Sequence, residues 1–206
     1  RSEHLACAYT VGFNFTDNPF ESWTAFIQRV KRLDDVAVAA GGRILAAVAQ
    51  SWIPPSLNGP RLVVPVLCSS DTKTNPNAAV SRMAEEVGRM DNHQYVPSVL
   101  TKDAHASLHR SKEGARGRDR LVEGKYKACL EVGTSNRSYL LVDDIVTRGT
   151  TMNDAARAIK AVDPGGTVIG LALGKSEALG FWEGRGVTLS NSHIDPRILK
   201  AAGITQ

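Results

Sequence analysis

The chain is 206 residues long, 42% hydrophobic and 22% charged, with a formal net charge of +4. That length suits one α/β domain with a sizeable core, and the composition argues against a disordered or collagen-like chain. No apolar run approaches the roughly 18 residues of a membrane span and no secretory leader pattern opens the chain, so the expectations are no membrane, no secretion and a cytoplasmic location. The chain opens with Arg1 rather than Met, which leaves room for an upstream segment. Cys7, Cys68 and Cys129 are odd in number and far apart, with no C-x-x-C pair, so neither a disulfide framework nor a zinc ribbon is indicated. Residues 101–127 hold eight Lys or Arg and four Asp or Glu, so this one segment accounts for the whole net charge.

Residues 1–19 are aromatic and polar, closing on the turn formers Asp17-Asn18-Pro19. Trp23, Phe26, Ile27, Val30 and Leu33 then make a helical stripe, read as core rather than as a binding face. A second helix is predicted over 36–51, weakened or divided by Gly41-Gly42. Pro54-Pro55 to Pro60 is a loop. Arg61 to Val66 reads as a strand ending in Leu67-Cys68-Ser69-Ser70, and Asn75-Pro76 is a helix start, with Asn75 as cap. Val80, Met83, Ala84, Val87 and Met90 supply that helix's apolar face. Cys68 reads as a small filler, since no helical or basic partner is evident to activate it. Tyr95 to Leu100 is the next predicted strand. Residues 102–120 carry Lys102, His105, His109, Arg110, Lys112, Arg116, Arg118 and Arg120 with two glycines between them, a composition expected of a mobile loop. His105 and His109 lack the further ligands of a metal site.

Residues 139–151 read YLLVDDIVTRGTT. The apolar run Tyr139 to Val142 suits a strand buried on both faces of a parallel sheet. A helix begins at Thr150 or Thr151, with Met152, Ala155, Ala156, Ile159 and Val162 along one face. Asp143, Asp144 and the Thr/Gly turn therefore sit at the carboxyl end of a strand, where open α/β sheets bind ligands. Backbone N–H groups at a helix start suit a phosphate. Two carboxylates beside a phosphate make sense if they face sugar hydroxyls or a divalent metal. The combination describes a phosphorylated ribose. The blander alternatives are a solvated strand end with an ordinary helix cap, or a Walker B-type carboxylate, although no G-x-x-x-x-G-K-[ST] is present.

This stretch resembles the phosphoribosyl pyrophosphate signature of type I phosphoribosyltransferases, DD-x-x-T-x-G-x-T, with Arg148 where a small residue is commoner. The resemblance implies that Asp143 and Asp144 hold the ribose hydroxyls, and that Ile145, Val146, Thr147, Arg148, Gly149, Thr150 and Thr151 complete the ribose and 5-phosphate site. It also implies that Leu67, Cys68, Ser69 and Ser70 form a pyrophosphate loop, and that Arg110, Lys112 and Arg116 belong to a lid over it, with Arg116 and the acid pair counted as catalytic. Mg²⁺ is implied as the cofactor, carried by the substrate and touching Asp143 and Asp144 rather than sitting in a direct protein cage. Gly114 to Ala128 further resembles the R-x-R-x-R-N-x-x-x-A-F block of ComF-like phosphoribosyltransferases, with Arg116, Arg118, Arg120 and Tyr126 on its positions, and VVPV at 63–66 matches that family's V-V-P-V-P strand. The family's zinc ribbon is absent, its R-G-F-N-Q run reads Lys73 to Asn77, and Leu121 stands where the family has Asn.

Asp163-Pro164-Gly165-Gly166 closes the signature helix and Thr167 to Leu173 is another buried strand. Residues 175–206 read as a looser tail, in which Trp182 is assigned to the core ahead of stacking on a base. The expected fold is α/β: a twisted, mostly parallel sheet with helices on both faces, of type I phosphoribosyltransferase kind, plus a small cap. It is expected as one domain, with 1–58 a helical layer or cap, 59–175 the core and 176–206 an extension. The expected activity is transfer of ribose 5-phosphate from phosphoribosyl pyrophosphate to a nitrogenous acceptor of unknown identity. The alternatives are a non-catalytic nucleotide-binding regulatory module and a ComF-like protein of DNA uptake, in which the basic segment meets nucleic acid, a partner not favoured. Homodimerisation follows from the resemblance alone.

Overall fold

The computed structural model describes residues 4–54, 61–103, 124–130 and 136–201. Five strands form an all-parallel sheet in the order β1-β7-β6-β2-β3, where β1 is Cys7–Phe15, β2 Arg61–Pro65, β3 His93–Tyr95, β6 Ser138–Val146 and β7 Thr167–Glu177. A separate antiparallel pair joins β4, Leu100–Lys102, to β5, Tyr126–Ala128. The helices are α1 Ser22–Lys31, α2 Asp35–Trp52, α3 Ala79–Gly88, α4 Thr150–Val162, α5 Leu179–Glu183 and α6 Pro196–Ala201. The fold is therefore α/β and Rossmann-like. Among the described residues no helix is long and apolar enough to cross a membrane.

The continuous apolar run of β6 is explained by two separate cores. Leu140 and Val142 pack with Val63, Ile169 and Leu171 beneath α1, α2 and α3. Tyr139 and Leu141 pack with Leu62, Val64 and Val168 beneath α4. Successive side chains on a strand point to opposite faces, so a strand with helices on both sides needs apolar residues at every position. The step from β2 to β3 passes through α3, and the opposite step from β6 to β7 passes through α4. Parallel crossovers are right-handed, so opposite steps put their helices on opposite faces. The chain thus diverges at the carboxyl ends of β2 and β6, and a crevice opens there.

Several elements differ from the sequence reading. Cys7–Phe15 is a full strand on the sheet edge, paired with β7 from Cys7 opposite Ile169 to Phe15 opposite Glu177. Its mixed aromatic and polar residues hide the alternation because one end lies over the core and the other borders a cleft. Helix α2 runs unbroken through Gly41-Gly42. Those glycines let α3 approach: a Cβ on Gly42 would lie 2.7 Å from Glu86 Cβ, and one on Gly41 2.9 Å from Met83 Sδ. Leu33 leaves the α1 stripe, with a positive φ of 61° and an exposed side chain, and Val162 at the end of α4 is exposed too. Asn75 caps no helix. Its Oδ1 accepts from Asn77 N at 3.0 Å, closing a turn of its own, and α3 starts only at Ala79. The strand expected at 95–100 is divided between β3 and β4. The C-terminal segment is fastened to β1: Asn191 accepts from Phe13 N at 2.7 Å and donates to Phe13 O at 3.0 Å, and Ile194 and Leu199 enter the larger core. Trp182 is half-buried, its Nε1 donating to Glu177 at 2.8 Å, and lies outside both cores.

Because α2 and α3 meet at glycines, a side chain there forces them apart. Gly42→Val is expected to lower stability by about 1–3 kcal/mol, read as a fall in the urea midpoint with an unchanged slope.

Candidate functional site

At the divergence lies a cleft of about 510 Å³. One side is the end of β2 (Val66 to Ser69), the floor is Asp143, Asp144 and Ile145 of β6 with Thr147 and Thr151, and the other side is Asn14 to Thr16, Ser176 and the α1 side chains Thr24, Gln28 and Lys31. Of the residues predicted to hold a ribose phosphate, Asp143, Asp144, Ile145, Thr147 and Thr151 line it. Val146 instead packs against the α4-side core, and Arg148, Gly149 and Thr150 form the turn behind the lining. Leu67, Cys68 and Ser69 line the cleft, whereas Ser70 lies beyond it and donates to Asp71 at 3.0 Å. Arg110, Lys112 and Arg116 fall outside the described residues, as do His105, His109, Arg118 and Arg120. By its sequence Lys102 belongs with that loop; in the structure it is the last residue of β4 and only 4% exposed.

The acid pair sits at the end of β6, which extends past the apolar run because β7 continues to pair with it as far as Val146 opposite Lys175. Asp144 N donates to Asp143 at 2.8 Å, and Ile145 N donates to Asp144 at 2.8 Å. Loss of water and then repulsion from Asp144 hold the Asp143 carboxyl well above the ordinary aspartate range, with a small opposing pull from Lys31. Gly149 precedes α4 with φ 79°, a left-handed conformation that glycine adopts at little cost. The N-cap makes no side-chain hydrogen bond and the first turn of the helix holds no acid, so the helix brings the positive end of its dipole to the side of the cleft that Thr151 lines.

The loop after β2 is stapled from behind. Tyr126, 1% exposed, donates its hydroxyl to Leu67 O at 2.9 Å. The Lys102 ammonium donates to Cys68 O and sits 5.5 Å from the Tyr126 ring centroid. Carbonyl and amide point in opposite directions across a trans peptide. Drawing the carbonyls of Leu67 and Cys68 towards β4 and β5 therefore turns the N–H groups of Cys68 and Ser69 the other way. Tyr126 is itself held from α4: Asp154, 4% exposed, accepts from Gly124 N and Tyr126 N at 2.9 Å each and from Arg157 Nε at 2.6 Å, while Arg157 Nη2 donates to Tyr126 O at 2.9 Å. Burial lowers the Lys102 pKa, with Cys68, Asp71 and Asp143 acting against that fall. The Cys68 thiol is pushed up to about 11 by burial and by Asp71, Asp144 and Asp143, so it stays protonated at neutral pH and is a poor nucleophile.

Sequence reasoning did not select Asn14, Gln28, Lys31, Ser176 or the buried role of Lys102. Asn14 stood as one polar residue between two phenylalanines, and Lys102 as one cation before a basic run. Neither pattern says what lies across a sheet. No protein-family model matches the chain, and a search of curated proteins finds no match.

Two outcomes follow from the electrostatics and the staple. A carboxyl whose folded pKa is raised costs stability above its unfolded pKa, and that cost grows until pH passes the folded value. Asp143→Asn is therefore expected to raise Tm at pH 8, with the gain shrinking as pH falls towards 4. Tyr126→Phe removes the short hydroxyl bond to Leu67 O and leaves it the 3.5 Å contact from Lys102 Nζ, and is expected to cost about 1 kcal/mol, read as a fall in the urea midpoint.

Proposed function

We propose that the cleft binds phosphoribosyl pyrophosphate and that the protein transfers ribose 5-phosphate from it to a nitrogen acceptor, as a type I phosphoribosyltransferase with ComF-like features. The observation that carries this reading is the meeting of two separated stretches in one cleft. Asp143, Asp144, Thr147 and Thr151 of the 143–151 stretch and Leu67, Cys68 and Ser69 of the loop after β2 line the crevice where β2 and β6 diverge. The carboxylates suit the ribose 2- and 3-hydroxyls, which donate to them. The turn and the start of α4 suit the 5-phosphate. The N–H groups of Cys68 and Ser69, turned outward by the staple, suit the pyrophosphate.

In the reaction, the bond from ribose C1 to the pyrophosphate oxygen breaks, and the leaving group keeps the electron pair. The acceptor nitrogen forms the new bond to C1 and, if it carries a proton, gives it up to solvent or to the departing pyrophosphate; a pyridine-type nitrogen carries none and becomes cationic. The ribose becomes oxocarbenium-like, and the adjacent acid pair stabilises the positive charge that develops. Holding sugar, leaving group and acceptor in line supplies much of the remaining acceleration.

The site also fits Mg²⁺ in a limited way. The cleft offers two neighbouring carboxylates, and among the described residues no group of three or more His, Cys, Asp or Glu side chains is placed to hold a metal. Mg²⁺ is commonly held by one or two carboxylates together with substrate phosphates and water. Asp143 and Asp144 would hold an ion that arrives with the diphosphate, and that ion would neutralise leaving-group charge.

Calorimetry with phosphoribosyl pyrophosphate and Mg²⁺ tests the reading. The wild type is expected to bind, and the double variant Asp143→Asn, Asp144→Asn to bind at least about tenfold more weakly, a difference of about 1.4 kcal/mol. Equal binding by the two proteins, or none by the wild type, would remove the proposal.

A further inference from the structure

We infer that Asn14 and Gln28 form the specificity element for the acceptor, and that they read an amide edge: a hydrogen-bond acceptor beside a hydrogen-bond donor, as in a lactam or a carboxamide. The inference rests on the phosphoribosyl reading of the cleft and adds to it the chemical class of the second substrate.

Direction comes first. In a displacement at C1 the entering nitrogen approaches from the side opposite the leaving oxygen. The loop that suits pyrophosphate follows β2, on one side of β6, while β7 and then β1 lie on the other side. With the ribose over Asp143 and Asp144, the acceptor enters from the wall built by β7, β1 and α1. The polar side chains on that wall are Asn14, Thr16, Thr24, Gln28, Lys31 and Ser176.

Two of these are built for recognition. Asn14 stands opposite Ser176 in the β1–β7 ladder and is only 6% exposed, yet it lines the cleft. Its side chain has one hydrogen bond among the described residues, in which Gln28 Nε2 donates to Asn14 Oδ1 at 3.3 Å. That leaves the Asn14 NH₂ and the Gln28 carbonyl with no partner among the described residues. Turning both amides over reverses the bond and leaves the Gln28 NH₂ and the Asn14 carbonyl instead. In either arrangement the pair presents one donor and one acceptor side by side. An amide as buried as that of Asn14 costs free energy when it lacks a partner, and a ligand with the complementary edge offsets that cost while also pairing with the half-buried Gln28.

Among the described residues stacking offers no alternative on this wall. The one aromatic ring that lines it, Phe15, is 3% exposed and packed beside Phe13 with ring centroids 5.8 Å apart. Thr24 Oγ1 already accepts from Phe15 N at 3.0 Å. Discrimination therefore falls to polar edges, which reject ligands that leave site groups unpaired more sharply than apolar pockets reject a missing methylene.

The test measures pyrophosphate release by the whole chain with phosphoribosyl pyrophosphate, Mg²⁺ and two sets of acceptors. Uracil, hypoxanthine and nicotinamide carry the amide edge; imidazole, benzimidazole and aniline offer a nitrogen without one. Release is expected with at least one member of the first set and none of the second. Asn14→Leu and Gln28→Leu are each expected to raise the KM for that acceptor about tenfold or more, with the Kd for phosphoribosyl pyrophosphate within about twofold of wild type. That retained affinity also shows that each variant is folded. Turnover of the second set alone, no turnover of either set by a protein that binds phosphoribosyl pyrophosphate, or an unchanged acceptor KM in both variants would overturn the inference while leaving the phosphoribosyl reading standing. Failure of the wild type to bind phosphoribosyl pyrophosphate would end both.

Discussion

Two like charges held side by side at the end of a buried strand set the terms for everything around them. Asp143 and Asp144 are neighbours in sequence and both line the same cleft, so they repel each other where water is scarce. The sheet makes that arrangement available because β2 and β6 send their chains to opposite faces and leave space between them. It does not make it free. Asp143 is held towards its protonated form, and Lys31 on one side and Lys102 on the other offset only part of the cost. A positively charged transition state, a cation or a ring of sugar hydroxyls relieves the same strain. The folded state thus gives up stability at the cleft.

The parts of the cleft are also mechanically joined. Helix α4 starts beside the acid pair, and one turn later its Asp154 and Arg157 grip the backbone at Tyr126. Tyr126 reaches across to Leu67 O, and Lys102 from the paired strand reaches Cys68 O. A chain of hydrogen bonds therefore runs from the helix after β6, through β5, to the loop after β2. Most of these groups are buried, where an unmatched donor or acceptor is expensive. The carbonyls of Leu67 and Cys68 are committed behind the loop, and among the described residues the Cys68 and Ser69 amides donate to no backbone carbonyl.

Asn14 and Gln28 show the opposite treatment on the far wall. Behind the loop the carbonyls of Leu67 and Cys68 are answered by Tyr126 and Lys102, whereas among the described residues the amide pair answers itself once and keeps a donor and an acceptor over. On the proposed reading the first wall positions and the second selects. That reading gives the edge strand β1 a second task beyond closing the sheet.

Much of the central layer was legible in the residues themselves. YLLV before the acid pair implied a strand covered on both faces, because only such a strand is apolar at consecutive positions, and the spacing of Met152, Ala155, Ala156 and Ile159 implied the helix after it. The acid pair and the threonine turn pointed to the end of that strand as the place to look for a site, and Asp143, Asp144, Thr147 and Thr151 do line a cleft there. Tertiary structure alone decided the rest. Gly41 and Gly42 look like helix breakers until Met83 and Glu86 stand against them, since propensity records the cost of glycine and not the contact it permits. Lys102 looks like the first cation of a solvated loop until Leu67 and Cys68 present their carbonyls to it. Asn14 looks like an interruption until Gln28, fourteen positions away and on another element, completes the pair. In each case the partner lies across a sheet or a helix interface, and local sequence holds the chemistry of a side chain but not the identity of what faces it.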